Sequence, residues 1–113
     1  MNVTPDGKGG ATAELKIGEV HRNPYGMVHG GVYASIADNV MGGAVAGALG
    51  NGKMFNTTDL HVRYLRSMTD GTISATASVV KLGRRLTQAE CSLRGDDGKL
   101  VATATASFFV IDE

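Results

Sequence analysis

Residues 29–50 read HGGVYASIADNVMGGAVAGALG, the most apolar segment of this 113-residue chain. Its large apolar side chains recur at intervals of four, four and five residues. They are Val32, Ile36, Val40 and Val45. This spacing predicts a helix over residues 31–49 with one apolar face. Gly50-Asn51-Gly52 is typical of a helix end.

Glycine is the unusual feature of the composition: 16 of the 113 residues are glycine, about twice the usual share. Half of them lie between Gly26 and Gly52. Each glycine inside a helix costs about 1 kcal/mol relative to alanine, so this helix needs tertiary packing to form. We expect Gly42, Gly43 and Gly47 to allow close contact between the helix and a sheet.

The rest of the chain alternates apolar and polar residues with a period of two, which predicts strands. The predicted strands cover residues 11–17, 55–64, 73–80, 86–93 and 100–111. One helix is then available to cover an antiparallel sheet of about five strands, so the fold class is α+β. Residues 1–113 form a single predicted domain, in which residues 1–10 are a loose N-terminal lead.

Composition excludes several classes of protein. Eleven basic residues balance eleven acidic ones, which argues against a nucleic-acid-binding module. The single cysteine, Cys91, excludes an intrachain disulfide, and its place in an alternating strand suggests a buried small residue. The three histidines are widely spaced, so no metal site is predicted. We expect no membrane span and a cytoplasmic location.

Residues 23–38, NPYGMVHGGVYASIAD, hold the candidate site. Backbone N–H groups in the first turn of a helix lack intrahelical partners, so they suit an anion or a developing oxyanion near Gly30 and Gly31. Asp38 lies eight residues after Gly30, about 12 Å along a helix. At that distance the two groups cannot act on the same carbonyl within one chain. An antiparallel helix from a second copy would bring Asp38 of one chain close to Gly30 of the other. The alternative is that Asp38 bonds neighbouring backbone or Asn39.

The pattern Asn23-x-x-Gly26-x-x-His29-Gly30-Gly31, followed by Asp38, resembles the hotdog-fold acyl-CoA thioesterases, specifically the phenylacetyl-CoA thioesterase-like group. The resemblance covers nearly the whole chain, including residues 81–85 and 97–102. It implies a curved sheet around one central helix. It also implies a homodimer with a continuous sheet and shared sites, usually assembled into a homotetramer. No separate cofactor is implied, because coenzyme A is part of the substrate.

The resemblance also implies roles for individual residues. Asp38 matches the catalytic carboxylate, as general base or nucleophile. Gly30 matches the residue whose N–H polarises the thioester carbonyl, with Gly31 beside it. Asn23 matches a polar residue near the thioester and the nucleophilic water, and His29 an organiser of the loop. Thr57 stands where relatives offer a hydroxyl that positions water, with Asn56 and Thr58 as alternatives.

Lys81, Arg84 and Arg85 flank a turn at Gly83. They are either a clamp for the phosphates of coenzyme A, as the resemblance implies, or a solvated hairpin end. His61 is interpreted as a strand-surface or interface residue.

Three functions remain open. An acyl-CoA thioesterase uses both Asp38 and Gly30. A non-catalytic acyl-ligand-binding module would keep the Gly30 site without needing Asp38. A hotdog hydratase would need a paired acid and histidine in a different arrangement. The serine-hydrolase motif Gly-x-Ser-x-Gly does not occur.

Overall fold

The computed structural model describes residues 1–50 and 52–111, so Asn51 of the predicted helix end lies outside the described residues. One helix, α1 (Gly30–Leu49), packs against one six-stranded antiparallel sheet. The strands are β1 (Thr4–Pro5), β2 (Gly10–Lys16), β3 (Met54–Tyr64), β4 (Thr72–Lys81), β5 (Leu86–Arg94) and β6 (Leu100–Ile111). A short 3-10 turn covers Glu19–His21. The order of the strands in the sheet is β1-β2-β4-β5-β6-β3.

This architecture is the hotdog fold, and it confirms the predicted α+β class, the helix and the five long strands. The sixth strand, β1, lies inside the segment expected to be a loose lead. Thr4 and Pro5 pair with Thr12 and Ala11 of β2, and Val3 packs against the core. Part of the lead is therefore built into the sheet.

Small inward-facing side chains let the sheet wrap closely around α1. The buried face of the helix comprises Tyr33, Ile36, Ala37, Val40, Met41, Ala44 and Val45. Opposite it, the inner faces of β4, β5 and β6 present many small side chains beside larger ones such as Ile73, Leu93 and Phe108. The small ones include Ala75, Ala77, Ala89, Cys91, Ala104 and Ala106, all 2–3% exposed. Such short side chains allow the helix axis to approach the sheet, and burial of these apolar surfaces drives the packing.

Gly43 and Gly47 face the N-terminal segment, whereas the sequence predicts close contact between these glycines and the sheet. A Cβ at Gly43 would press on the Val3 side chain, and one at Gly47 would lie 3.5 Å from the Gly7 backbone. Gly43 therefore makes room for the Val3 side chain, whereas a Cβ at Gly47 would make an ordinary van der Waals contact. Gly42 differs, because its nearest neighbour, Phe55, would be 3.9 Å from an added Cβ.

Strand β3 forms one edge of the sheet and bonds only to β6 within the described residues. A bulge at Thr58 shifts its register between Thr57 and Asp59. Without it, Thr57 and Tyr64, seven residues apart, would point to opposite faces of the sheet. The bulge turns both side chains to the inner face. That face is poorly covered, since Leu60 is 36% and Tyr64 53% exposed.

Candidate active site

The loop before α1 is built around Asn23. Its side-chain oxygen accepts hydrogen bonds from the backbone N–H groups of Tyr25 (2.9 Å) and Met27 (3.1 Å). Its backbone N–H donates to the Met27 carbonyl, and its own carbonyl accepts from the Gly26 N–H. Both bonds close the same turn. Gly26 adopts φ +84°, a conformation that favours glycine. The Asn23 side-chain NH₂ group is the part left to meet a ligand.

The loop leads into the exposed N-terminus of α1. His29 is the N-cap residue, and its side chain makes no capping hydrogen bond. The backbone N–H of His29 is held by the His21 carbonyl at 2.9 Å. The N–H groups of Gly30 and Gly31 have no acceptor among residues 1–50 and 52–111. With no side chains in the way, both are available to a ligand oxygen at the positive end of the helix dipole.

Asp38 lies on the side of α1 that faces β3. The Thr57 hydroxyl donates a hydrogen bond of 2.8 Å to Asp38 Oδ1. This carboxylate is partly buried, and its other oxygen is free of hydrogen bonds within the described chain. The neighbouring Asn39 bonds instead to the Ser35 carbonyl, so the alternative of an Asp38–Asn39 pair is not the arrangement found. Thr58 bonds to the Ser107 carbonyl, which leaves Thr57 as the hydroxyl beside Asp38.

Tyr64 is a site neighbour that the sequence argument missed. Its hydroxyl donates a 2.9 Å hydrogen bond to the Gly30 carbonyl. A Cβ at Gly30 would lie 3.3 Å from the Tyr64 ring and hydroxyl, tighter than most Cβ contacts. Glycine therefore lets the helix start approach the end of β3. The alternation of residues 60–64 places Leu60, Val62 and Tyr64 on one face of the strand. This was the sequence signal that could have identified Tyr64.

The candidate residues fall into two groups that do not meet within one chain. Asp38 and Thr57 form one group. Asn23, His29, Gly30 and Gly31 form the other, next to Tyr64. Thr57 and Tyr64 are separated by seven strand residues, about 23 Å. Among the described residues no hydrogen bond joins the two groups.

The three basic residues near Gly83 lie at the sheet end that contains Thr57. In the register of the sheet, Thr57 pairs with Phe108, which pairs with Thr87 of β5. Arg84 and Arg85 directly precede β5, about 10 Å from β3 at the usual strand spacing. Lys81, Arg84 and Arg85 are exposed and form no ion pair with the part of the chain that is described. Arg66, in contrast, pairs with Asp97 at 3.2 Å.

Two cavities flank the start of α1. One, of about 590 Å³, is lined by five residues of α1 together with Met1, Leu15, His21 and His29; the α1 residues are Gly31, Val32, Ser35, Ile36 and Asn39. The other, of about 320 Å³, lies towards β3. Its lining residues are Val28, Gly30, Tyr33, Tyr64, Leu65, Arg66 and Ser67.

Cys91 and His61 lie outside the candidate site. Cys91 is 3% exposed, as expected for a packing residue, and burial raises the pKa of its thiol to about 11. His61 is exposed on the outer face of β3. Within the described chain no three His, Cys, Asp or Glu side chains are grouped as a metal site. None of its helices has both the length and the apolarity to cross a membrane.

Comparison with known proteins defines the class. The sequence model of the thioesterase superfamily matches residues 25–102. A Haemophilus influenzae thioesterase shares the fold, with a TM-score of 0.90 and 24% identity, over 97% of this chain and 77% of that one. A Bacillus halodurans protein crystallised with coenzyme A is 34% identical, with a TM-score of 0.85, over 96% and 71% of the two chains. The phenylacetic acid degradation-related protein of Ralstonia eutropha is 30% identical, with a TM-score of 0.84, over 90% and 76%.

The fold and the match together define a hotdog-fold thioester hydrolase. The chain belongs to the thioesterase superfamily, whose model covers most of its length. The resemblance found from Asn23, Gly30 and Asp38 is thereby confirmed at the level of the family.

Proposed function

We propose that this protein is an acyl-CoA thioesterase whose active site is shared between two copies of the chain. The observation that carries the proposal is the placement of the two residue groups at opposite ends of one uncovered strand face. Asp38 and Thr57 stand near the start of β3, whereas Gly30 and Tyr64 stand at its end. Each group supplies half of what thioester hydrolysis needs.

Antiparallel pairing of β3 with its copy would join the two halves. A two-fold axis at His61 pairs Leu60 with the partner's Val62 and, beyond the one-residue bulge at Thr58, places Thr57 opposite the partner's Tyr64. The Asp38 carboxylate then approaches Gly30 of the partner subunit. The pairing also satisfies the open edge of β3 and covers Leu60, which is 36% exposed in the single chain. Two identical sites result, as required by two-fold symmetry.

The chemistry follows from these groups. Attack on a thioester carbonyl places negative charge on its oxygen, and the N–H groups of Gly30 and Gly31 stabilise that charge. Asp38 either removes a proton from the attacking water, or attacks the carbonyl itself to form an anhydride that water then hydrolyses. In both routes the C–S bond breaks, and the departing coenzyme A thiolate takes up a proton. Thr57 holds one carboxylate oxygen, which leaves the other for the reaction. Asn23 contributes its NH₂ group near the water, and His29 organises the loop. The products are the free acid and coenzyme A.

Lys81, Arg84 and Arg85 are proposed to bind the phosphates of coenzyme A. Three exposed cations without an acidic partner in the described chain leave their charge available to an anion. Their place at the Thr57 end of the sheet puts them near the Asp38 half of the site. A relative crystallised with coenzyme A supports this class of ligand.

The proposal extends to assembly and location. A homotetramer of two such dimers, acting in the cytoplasm without a separate cofactor, fits the resemblance. The single buried cysteine is consistent with a reducing compartment.

The decisive variant is Asp38→Asn, which keeps an oxygen to accept the Thr57 hydrogen bond. Release of free coenzyme A is measured across acyl-CoA thioesters of varied length and aromaticity. We expect kcat to fall by about 100- to 10,000-fold, with an unchanged Tm. Asp70→Asn, at an exposed aspartate, is the control and should retain full activity.

Nearly unchanged kcat/KM in Asp38→Asn would contradict the catalytic role. A wild-type protein that binds acyl-CoA but hydrolyses none of the panel would be a binding module instead.

A further inference from the structure

The outer face of β3 carries a charge pattern that no contact within the described chain explains. Asp59, His61 and Arg63 alternate with the inner-facing residues of this edge strand, and all three are exposed. Their neighbours on β6 are uncharged: Ser107, Thr105 and Thr103. Asp59 and Arg63 lie about 13 Å apart along the strand, and neither forms an ion pair with residues 1–50 or 52–111. An acid and a base therefore stand on the open edge with their charges available.

Two-fold symmetry restricts how this edge can pair with its own copy. An axis that runs through the sheet keeps the outer faces of both copies on the same side. Residues directly opposite each other share a face, so outer-face residues meet only outer-face residues. The axis therefore lies between two copies of one residue. In the middle of β3 that residue is Leu60, His61 or Val62.

One of these three registers pairs the formal charges. With the axis at His61, Asp59 lies opposite Arg63 of the partner subunit, and the same contact recurs on the other side of the axis. An axis at Leu60 would set Asp59 against the partner's His61 and leave Arg63 without an acid opposite it. An axis at Val62 would set His61 against the partner's Arg63, so that two basic side chains meet. Directly opposite charges of unlike sign stabilise a strand pair, and charges of like sign destabilise it.

We propose that Asp59 and Arg63 form two symmetric ion pairs across the β3 edge and select the register in which two copies of this chain pair. The inference rests on the proposed function, because it needs two copies joined along β3. It uses residues on the opposite face of the strand from the shared site. The same register brings Thr57 and the partner's Tyr64 to the same end of the paired strands. Charges on the outer face of β3 thereby select the alignment that assembles the site on its inner face.

Charge reversal tests these ion pairs without changing a residue of the active site. Homodimers of Asp59→Lys place basic side chains opposite each other in both contacts, and homodimers of Arg63→Glu place acidic ones there. A mixed dimer of the two variants has opposite charges in both contacts. After subunit exchange we expect mixed dimers to make up about nine-tenths of all dimers, against about half for random pairing. Native mass spectrometry of an equimolar mixture measures this fraction.

Two further experiments control for folding and for charge alone. Glu14→Lys mixed with Lys16→Glu is the matched control, because both residues are exposed on β2 rather than on β3. These two variants should pair at random. The double variant Asp59→Lys/Arg63→Glu exchanges the two charges within one chain. Its homodimer should dissociate with a Kd within about three-fold of the wild-type value and should hydrolyse acyl-CoA as the wild type does.

The outcomes separate this inference from the proposed function. Random pairing of the Asp59 and Arg63 variants, or a mixture that contains no dimers, would overturn the inference. So would a folded double variant that stays monomeric. Each of these results leaves the shared site standing as long as wild-type dimers hydrolyse acyl-CoA. A wild-type protein that hydrolyses acyl-CoA as a monomer would instead contradict the shared site.

Discussion

Thr57 and Asp38 are joined by a 2.8 Å hydrogen bond although they lie on different elements, 19 residues apart. The bond exists because the bulge at Thr58 turns the Thr57 side chain to the inner face of β3. Bulges often re-aim a side chain next to an active site. Here the bulge places a hydroxyl against the carboxylate that we propose as the catalytic group.

Thr57→Val should therefore impair catalysis without unfolding the protein. Valine is similar in shape but cannot donate to Asp38, so the carboxylate loses its fixed orientation. We expect kcat to fall by about ten-fold with little change in KM, measured by coenzyme A release. Thr57→Ser keeps the donor and should retain most of the activity. A Thr57→Val enzyme as active as the wild type would show that Asp38 is held by other means.

A substitution at Gly83 tests the structure of the turn that is flanked by Lys81, Arg84 and Arg85. Any Cβ at this position would overlap the Leu86 carbonyl oxygen, which belongs to rigid backbone. Gly83→Ala should lower the free energy of unfolding by about 1–3 kcal/mol, measured by urea denaturation. Gly18→Ala is the matched control, because an added Cβ would meet only the His21 ring at 3.7 Å. Equal stability of the two variants would contradict the described turn.

Cys91 should be unreactive in the folded protein. Its thiol is buried, and desolvation raises its pKa from 9.0 to about 11. Little thiolate therefore exists at pH 8, and a disulfide reagent should label Cys91 only after unfolding. Between pH 9 and 11 the unfolded thiol loses its proton first, so this group's contribution to stability decreases as the pH rises. Rapid labelling of native protein at pH 8 would contradict this burial.

Local patterns predicted the elements well, whereas contacts between elements were harder to predict. The spacing of four residues between Val32, Ile36 and Val40 was enough to predict the helix, although Val32 is only partly buried. The spacing of Gly30 and Asp38 was enough to predict that the two do not meet in one chain. Thr57 remained one of three adjacent alternatives, because a single-residue bulge has no periodic signature. Tyr33 and Tyr64 were missed as site neighbours, since their meeting depends on how β3 ends beside the start of α1.

The most direct test of the shared site mixes two inactive variants. Asp38→Ala removes the carboxylate, and Asn23→Ala removes the side chain that shapes the Gly30 loop. In a mixed dimer, one site combines the intact Asp38 of one chain with the intact Asn23 of the other. Random mixing should restore about one quarter of the wild-type activity, because half of the dimers are mixed and each keeps one of two sites. Activity that stays at the level of the separate variants, despite demonstrated subunit exchange, would contradict the shared site.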